Sequence, residues 1–114
     1  MSEKKIQICH LQDLADPDSR GFSCLHHGTT IEGFVVRQGD RVTAYLNSCP
    51  HTGAPLNWSP NQFLDVEGQF IQCSLHGALF RLADGVCMHG PCVGQSLQSL
   101  RVTLQAGVIW VNCD

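Results

Sequence analysis

"CPHTGAPLNWSPNQFLDVEGQFIQCSLHG", residues 49–77, opens and closes on the same chemistry. Cys49-Pro-His51 sets a thiol and an imidazole two positions apart, and Cys73-Ser-Leu-His76 sets them three apart, with a glycine soon after each histidine. Twenty-one residues separate His51 from Cys73. They read as a loop and a hairpin, and a hairpin returns the chain to where it began. Both pairs can therefore meet at one end of a sheet. Two thiolates and two imidazoles satisfy either a single tetrahedral zinc or a two-iron cluster in which one iron takes Cys and the other His. Gly53 and Gly77 allow positive φ and let the backbone pass close to a bulky inorganic centre.

Outside this stretch the sequence punctuates itself with two-residue turn signals: Gly39-Asp40, Glu67-Gly68, Asp84-Gly85 and Ala106-Gly107. Each lies between alternating or β-branched runs, the pattern of antiparallel hairpins. Strands are expected over residues 5–10, 21–26, 31–38, 41–47, 69–72, 78–82, 97–104 and 108–112, with Val42, Ala44 and Leu46 on one side of theirs. Only residues 11–20, "LQDLADPDSR", have helical spacing, through Leu11 and Leu14, and Pro17 stops it within about two turns. Residues 48–60 carry three prolines and read as a loop, as do residues 88–96. The expected fold class is all-β.

A length of 114 residues suits one core and not two, so residues 1–114 are read as a single domain. The net charge of -3, with no lysine or arginine run, offers no footprint for a phosphate backbone or an anionic bilayer. Nucleic acid and membrane are thus not expected as partners. The N-terminal "MSEKKIQI" has no apolar stretch of signal-peptide length, and no run is long enough to span a bilayer. The expected location is the cytoplasm.

Seven cysteines without an export signal argue against a disulfide framework. Cys9, Cys24, Cys87, Cys92 and Cys113 are assigned to packing, as small buried apolar groups. Cys87 and Cys92 stand apart because they flank Gly90-Pro91. The neighbours His26 and His27 would point to opposite faces of a strand and cannot easily chelate one ion, so they and His10 are read as surface residues. His89 is read as a polar loop residue and Trp110 as core. Trp58 suits either a partner-facing anchor or a ring packed under its own loop.

The two Cys/His pairs around one hairpin, each followed by glycine, and the downstream Gly90-Pro91 resemble the Rieske [2Fe-2S] domain, and most of all the small Rieske-type ferredoxins. That resemblance implies an antiparallel sandwich with a base and a small cluster-binding lobe, here roughly residues 47–92. It implies one [2Fe-2S] cluster with Cys49 and Cys73 on an inner iron, and His51 and His76 on an outer iron near the surface through Nδ1. Gly90 and Pro91 would belong to a third loop that covers the cluster. The implied work is one-electron transfer from a flavin-dependent reductase to an acceptor such as a ring-hydroxylating oxygenase, with no catalytic residue of the chain's own.

The chain also departs from parts of the family. Its linker between the two motifs is somewhat longer than in ferredoxin-type members. The loop cysteines that form a disulfide in high-potential members are Ala54 and Leu75 here. The cluster-bonding Ser and Tyr of that branch are Ala78 and Phe80. Neutral imidazoles in place of thiolates raise the potential of a two-iron cluster, while loss of the hydroxyl donors withdraws stabilisation of the reduced state, so a value around -150 mV is expected.

No basic residue occurs between Arg41 and Arg81. Thr52, Ala54, Pro55, Leu56, Trp58 and Pro91 are expected to form a largely apolar collar for transient docking. Two alternatives use the same residues: a zinc-stabilised Cys2His2 interaction module, and a small subunit of a nitrite reductase or other oxidoreductase complex. For a whole oxygenase the chain has no room or ligand set to hold a separate mononuclear iron.

Overall fold

The structure is a computed structural model that describes residues 5–26, 28–50, 52–57, 59–74 and 77–112. Ten strands follow one another: β1 (Lys5–His10), β2 (Asp18–His26), β3 (Thr29–Gln38), β4 (Arg41–Leu46), β5 (Phe70–Gln72), β6 (Leu79–Arg81), β7 (Cys87–His89), β8 (Ser99–Leu100), β9 (Val102–Gln105) and β10 (Val108–Asn112). Among the described residues the only helical element is a 3-10 turn, Leu11–Asp13. The all-β expectation holds, and residues 11–20 do less than their spacing suggested: Asp18 already belongs to β2.

Three antiparallel sheets result, in the orders β1-β10-β9, β2-β3-β4-β8 and β5-β6-β7. The four-stranded sheet lies between two cores because of strand periodicity. On β3, Phe34 and Val36 enter one core while Val35 enters the other, and on β4 Tyr45 and Ala44 divide in the same way. Successive side chains of a strand point to opposite faces. A run such as Phe34-Val-Val36, apolar at every position, is what a strand covered on both sides requires. One core packs β1 and β10 through Ile109, Val111, Cys9 and Leu14. The other contains Phe63, Ile71, Phe80 and Leu82 together with Cys49, Cys73, Cys87 and Cys92.

The turn signals at residues 39–40, 84–85 and 106–107 all join paired strands. Several details differ from the sequence reading, among them the starts of β2 and β3, at Asp18 and Thr29 where 21 and 31 are expected. Residues 97–104 break at Arg101, because β8 pairs with β4 while β9 pairs with β10. Met88 and His89, expected in a loop, belong with Cys87 to the strand β7, which is only three residues long. Trp110, expected in the core, is half-buried, since Ile109 and Val111 on either side take the inward positions.

Tyr45 ties the middle sheet to the small β5-β6-β7 sheet. Its buried hydroxyl donates to the Leu82 carbonyl at 2.8 Å, and Thr43 Oγ1 donates to the same oxygen at 3.1 Å. In Tyr45→Phe the carbonyl keeps the Thr43 donor, so the cost should fall at the lower end for a buried hydrogen bond, about 1 kcal/mol. Thermal unfolding followed by circular dichroism should show a Tm lower by about 3–6 °C.

Candidate metal centre

Cys49 and Cys73 begin loops with the same backbone pattern. Cys49 N–H donates to the Ala54 carbonyl at 2.8 Å and Gly53 N–H to the Cys49 carbonyl at 2.6 Å. Cys73 N–H donates to the Ala78 carbonyl at 2.9 Å and Gly77 N–H to the Cys73 carbonyl at 3.0 Å. The histidine spacings differ, but both segments read Cys-x-x-x-Gly-Ala, and that shared frame closes the two turns identically. Gly53 and Gly77 have φ of +79° and +67°, and a Cβ on either would meet no protein atom within 4 Å. The glycines therefore supply the left-handed conformation, and the space beside them is open.

The two loops are joined to each other. Ser74 N–H donates to the Leu56 carbonyl at 2.9 Å, and the Asn47 carboxamide holds the far end of the first loop by accepting from Leu56 N–H at 2.8 Å and donating to Asn57 Oδ1 at 3.0 Å. Asn47 and Leu56 are thus positioning residues that the sequence reading missed; an asparagine at the end of a strand was the available signal. Leu56, expected on the exposed collar, is fully buried beneath it. Thr52 and Pro55 are exposed, as is Pro91.

Gly90 brings a third loop onto the second. Its φ is +102°, and a Cβ there would lie 2.8 Å from Ala78 Cα. Ala78 directly follows Gly77, so Gly90 sits against the turn that Cys73 opens. Ala78 and Phe80 are buried and carry no hydroxyl. On the same loop, Cys92 Sγ lies 3.1 Å from Cys87 Sγ. Burial first, then the neighbouring sulfurs of Cys87 and Cys49, push the Cys92 thiol up to about 12, so it remains protonated at neutral pH. Cys87 and Cys92, flagged in the sequence as flanking the Gly-Pro element, do adjoin the first ligand loop.

The long linker between the motifs is anchored rather than loose. Phe63 is buried and stacks on Phe34 at 4.2 Å with planes 10° apart. Ser19 Oγ donates to the Asn61 carbonyl at 2.8 Å, and Gly21 N–H donates to Asn61 Oδ1 at 2.8 Å. At its tip Val66 is fully exposed.

The donor chemistry fits a Rieske cluster at this end of the molecule. The buried thiols of Cys49 and Cys73 on matched loops could supply a sulfur half, and they share a dry core with Phe80, Ile71 and Leu56. His51 and His76, expected as the imidazole ligands, lie outside the described residues, as does Trp58. Among the described residues, no group of three or more His, Cys, Asp or Glu is arranged to hold a metal ion. His10 faces Asp13 at 3.7 Å and His89 stands edge-on to Phe70 at 6.2 Å, so neither gathers a second ligand set.

Of the other cysteines, Cys9 is buried in the far core as expected. Cys24 is not simply packed: it is disulfide-bonded, which corrects its assignment to packing. Cys113 lies outside the described residues.

The sequence matches the Rieske [2Fe-2S] domain family over residues 4–106. No curated protein sequence shows a significant match. Among solved structures, the ferredoxin of carbazole 1,9a-dioxygenase from Nocardioides aromaticivorans IC177 is similar with a TM-score of 0.68 and 27% identity, over 95% of this chain and 96% of that one. A chain from a complex of reduced oxygenase and oxidized ferredoxin in carbazole 1,9a-dioxygenase aligns with a TM-score of 0.73 and 23% identity, over 97% and 94%. The quaternary ammonium Rieske monooxygenase CntA gives a TM-score of 0.73 and 24% identity, but 98% of this chain spans only 32% of that protein.

Proposed function

Because the chain belongs to the Rieske [2Fe-2S] domain family, we propose that it is a Rieske-type ferredoxin, taking one electron from a flavin-dependent reductase and giving it to an acceptor such as a ring-hydroxylating oxygenase. The observation that carries this reading is the pair of matched loops that open on the buried Cys49 and Cys73. The protein carries one Rieske-type [2Fe-2S] cluster. That cluster supplies reversible one-electron chemistry when bound.

The residues of the chain then have separable roles. Cys49 and Cys73 would hold the inner iron, and His51 and His76 the outer one. Gly90 and Pro91 would close the third loop over the site, with the buried Ala78 and Phe80 excluding water without offering a hydrogen bond. The likeness to the Nocardioides ferredoxin, at 27% identity over 95% of this chain and 96% of that one, supports a carrier over a catalyst. We place the exchange in the cytoplasm; no described helix is long and apolar enough to cross a membrane.

Two measurements test the proposal. Iron and sulfide analysis with an absorption spectrum should give two of each per chain and a coloured protein, whereas a colourless protein with one zinc would establish the interaction module instead. An anaerobic redox titration should then give a midpoint around -150 mV, at the low end of the Rieske range. A clearly positive value would contradict the argument from Ala78 and Phe80.

A further inference from the structure

Within residues 87–95 only two side chains are buried, those of Cys87 and Cys92. Each is 2% exposed, while Met88 and Val93 project at 40% and 62%. The two cysteines are thus the anchors of the loop that contains Gly90-Pro91. Their sulfurs are 3.1 Å apart, with the Cys92 thiol donating to Cys87 Sγ and the Cys87 thiol donating to the His89 carbonyl at 3.2 Å. Apolar packing alone would leave them at an ordinary contact distance of roughly 3.5–4.0 Å.

The backbone holds the pair together from both sides. Cys87 N–H donates to the Gln95 carbonyl and Gln95 N–H to the Cys92 carbonyl, each at 2.9 Å. A disulfide needs sulfurs about 2.05 Å apart, so about 1 Å of side-chain rotation would close the gap.

We infer that Cys87 and Cys92 form a reversible dithiol–disulfide site that straps the Gly-Pro loop to β7, oxidised by low-molecular-weight disulfides and reset by dithiols. The balance runs through two exchanges. One thiol of the pair gives up its proton and attacks the small disulfide, forming a mixed disulfide and releasing one small thiol. The second protein thiol then attacks that mixed bond, forming Cys87–Cys92 and releasing the other small thiol. Two protein thiols are oxidised by two electrons, one small disulfide is reduced to two thiols, and the two protons leave on them. Access comes from opening of the loop, whose other side chains are all exposed and therefore add little to its local stability. Uncatalysed exchange of this kind takes minutes to hours.

This inference goes beyond the carrier proposal and does not depend on it. The test exploits the sequence. Trypsin cutting after Arg81 and Arg101 releases fragment 82–101, which contains these two cysteines and no other, while Cys49 and Cys73 fall together in fragment 42–81. The holoprotein is incubated anaerobically with oxidised glutathione, denatured with iodoacetamide, digested and weighed by mass spectrometry. The expected product is fragment 82–101 lighter by two hydrogens and without alkylation, restored to the doubly alkylated form by prior treatment with dithiothreitol. A fragment that stays doubly alkylated, one that keeps a glutathione adduct, or a cross-link to fragment 42–81 would each overturn the assignment. The visible spectrum of the same sample reports separately on the cluster, so a failure of the carrier reading and a failure of the strap are distinguishable.

Discussion

Serine in place of Cys73 is expected to remove the visible absorbance and the reduced-state paramagnetic signal almost completely, while leaving a folded β-protein by circular dichroism. Thiolate is the form that binds iron, and a serine hydroxyl remains protonated in a pocket as dry as this one. The side chain is fully buried, so solvent cannot supply a replacement ligand. Because the Cys73 turn is held by main-chain bonds to Ala78 and Gly77, the loop should survive the change. His76→Ala should give the same spectral loss. Cys9→Ser provides the contrast: Cys9 is also buried but lies in the opposite core, and its variant should keep the full iron content. Full cluster occupancy in Cys73→Ser, or loss in Cys9→Ser, would show that the ligands have been wrongly placed.

The second large effect is expected at Gly90. Alanine there must adopt a φ of +102° and place its Cβ 2.8 Å from the Ala78 main chain, where nothing can rotate aside. The unfavourable backbone region costs roughly 1–2 kcal/mol and the forced shift roughly 1–3 kcal/mol more. A Tm lower by on the order of 10 °C follows for a domain of this size. Gly94 isolates the two contributions, since it has a φ of +96° but open space around its Cβ. Gly94→Ala should therefore lose only the conformational part. Equal losses in both variants, measured by thermal unfolding of the loaded proteins, would show that the third loop does not press on the second.

The sequence announced the metal end more clearly than it announced the base. The turns that open on Cys49 and Cys73 are legible because the positive φ of their glycines restricts residue type directly; His51 and His76 lie outside the described residues. The hairpin turns were legible for the same reason. What stayed hidden depends on partners distant in sequence. The split of residues 97–104 at Arg101 is decided by which sheet each half joins, and the alternation of side chains is no guide to that. The tripeptide Cys87-Met-His89 is a strand only because β6 lies beside it. Leu56 looked like a surface residue among prolines, yet the Asn47 carboxamide draws it inward. The bond of Cys24 could not be read from spacing, since its position in β2 resembles that of any buried small residue.

A strand clothed on both faces has no indifferent side. Phe34 reaches toward the end where the ligand loops meet, and its neighbour Val35 faces the opposite core. A change of volume at either position must be absorbed by the same few main-chain bonds, so repacking meant to toughen the base would also be felt near the iron. In this architecture durability and electronic tuning share one spine and cannot evolve independently.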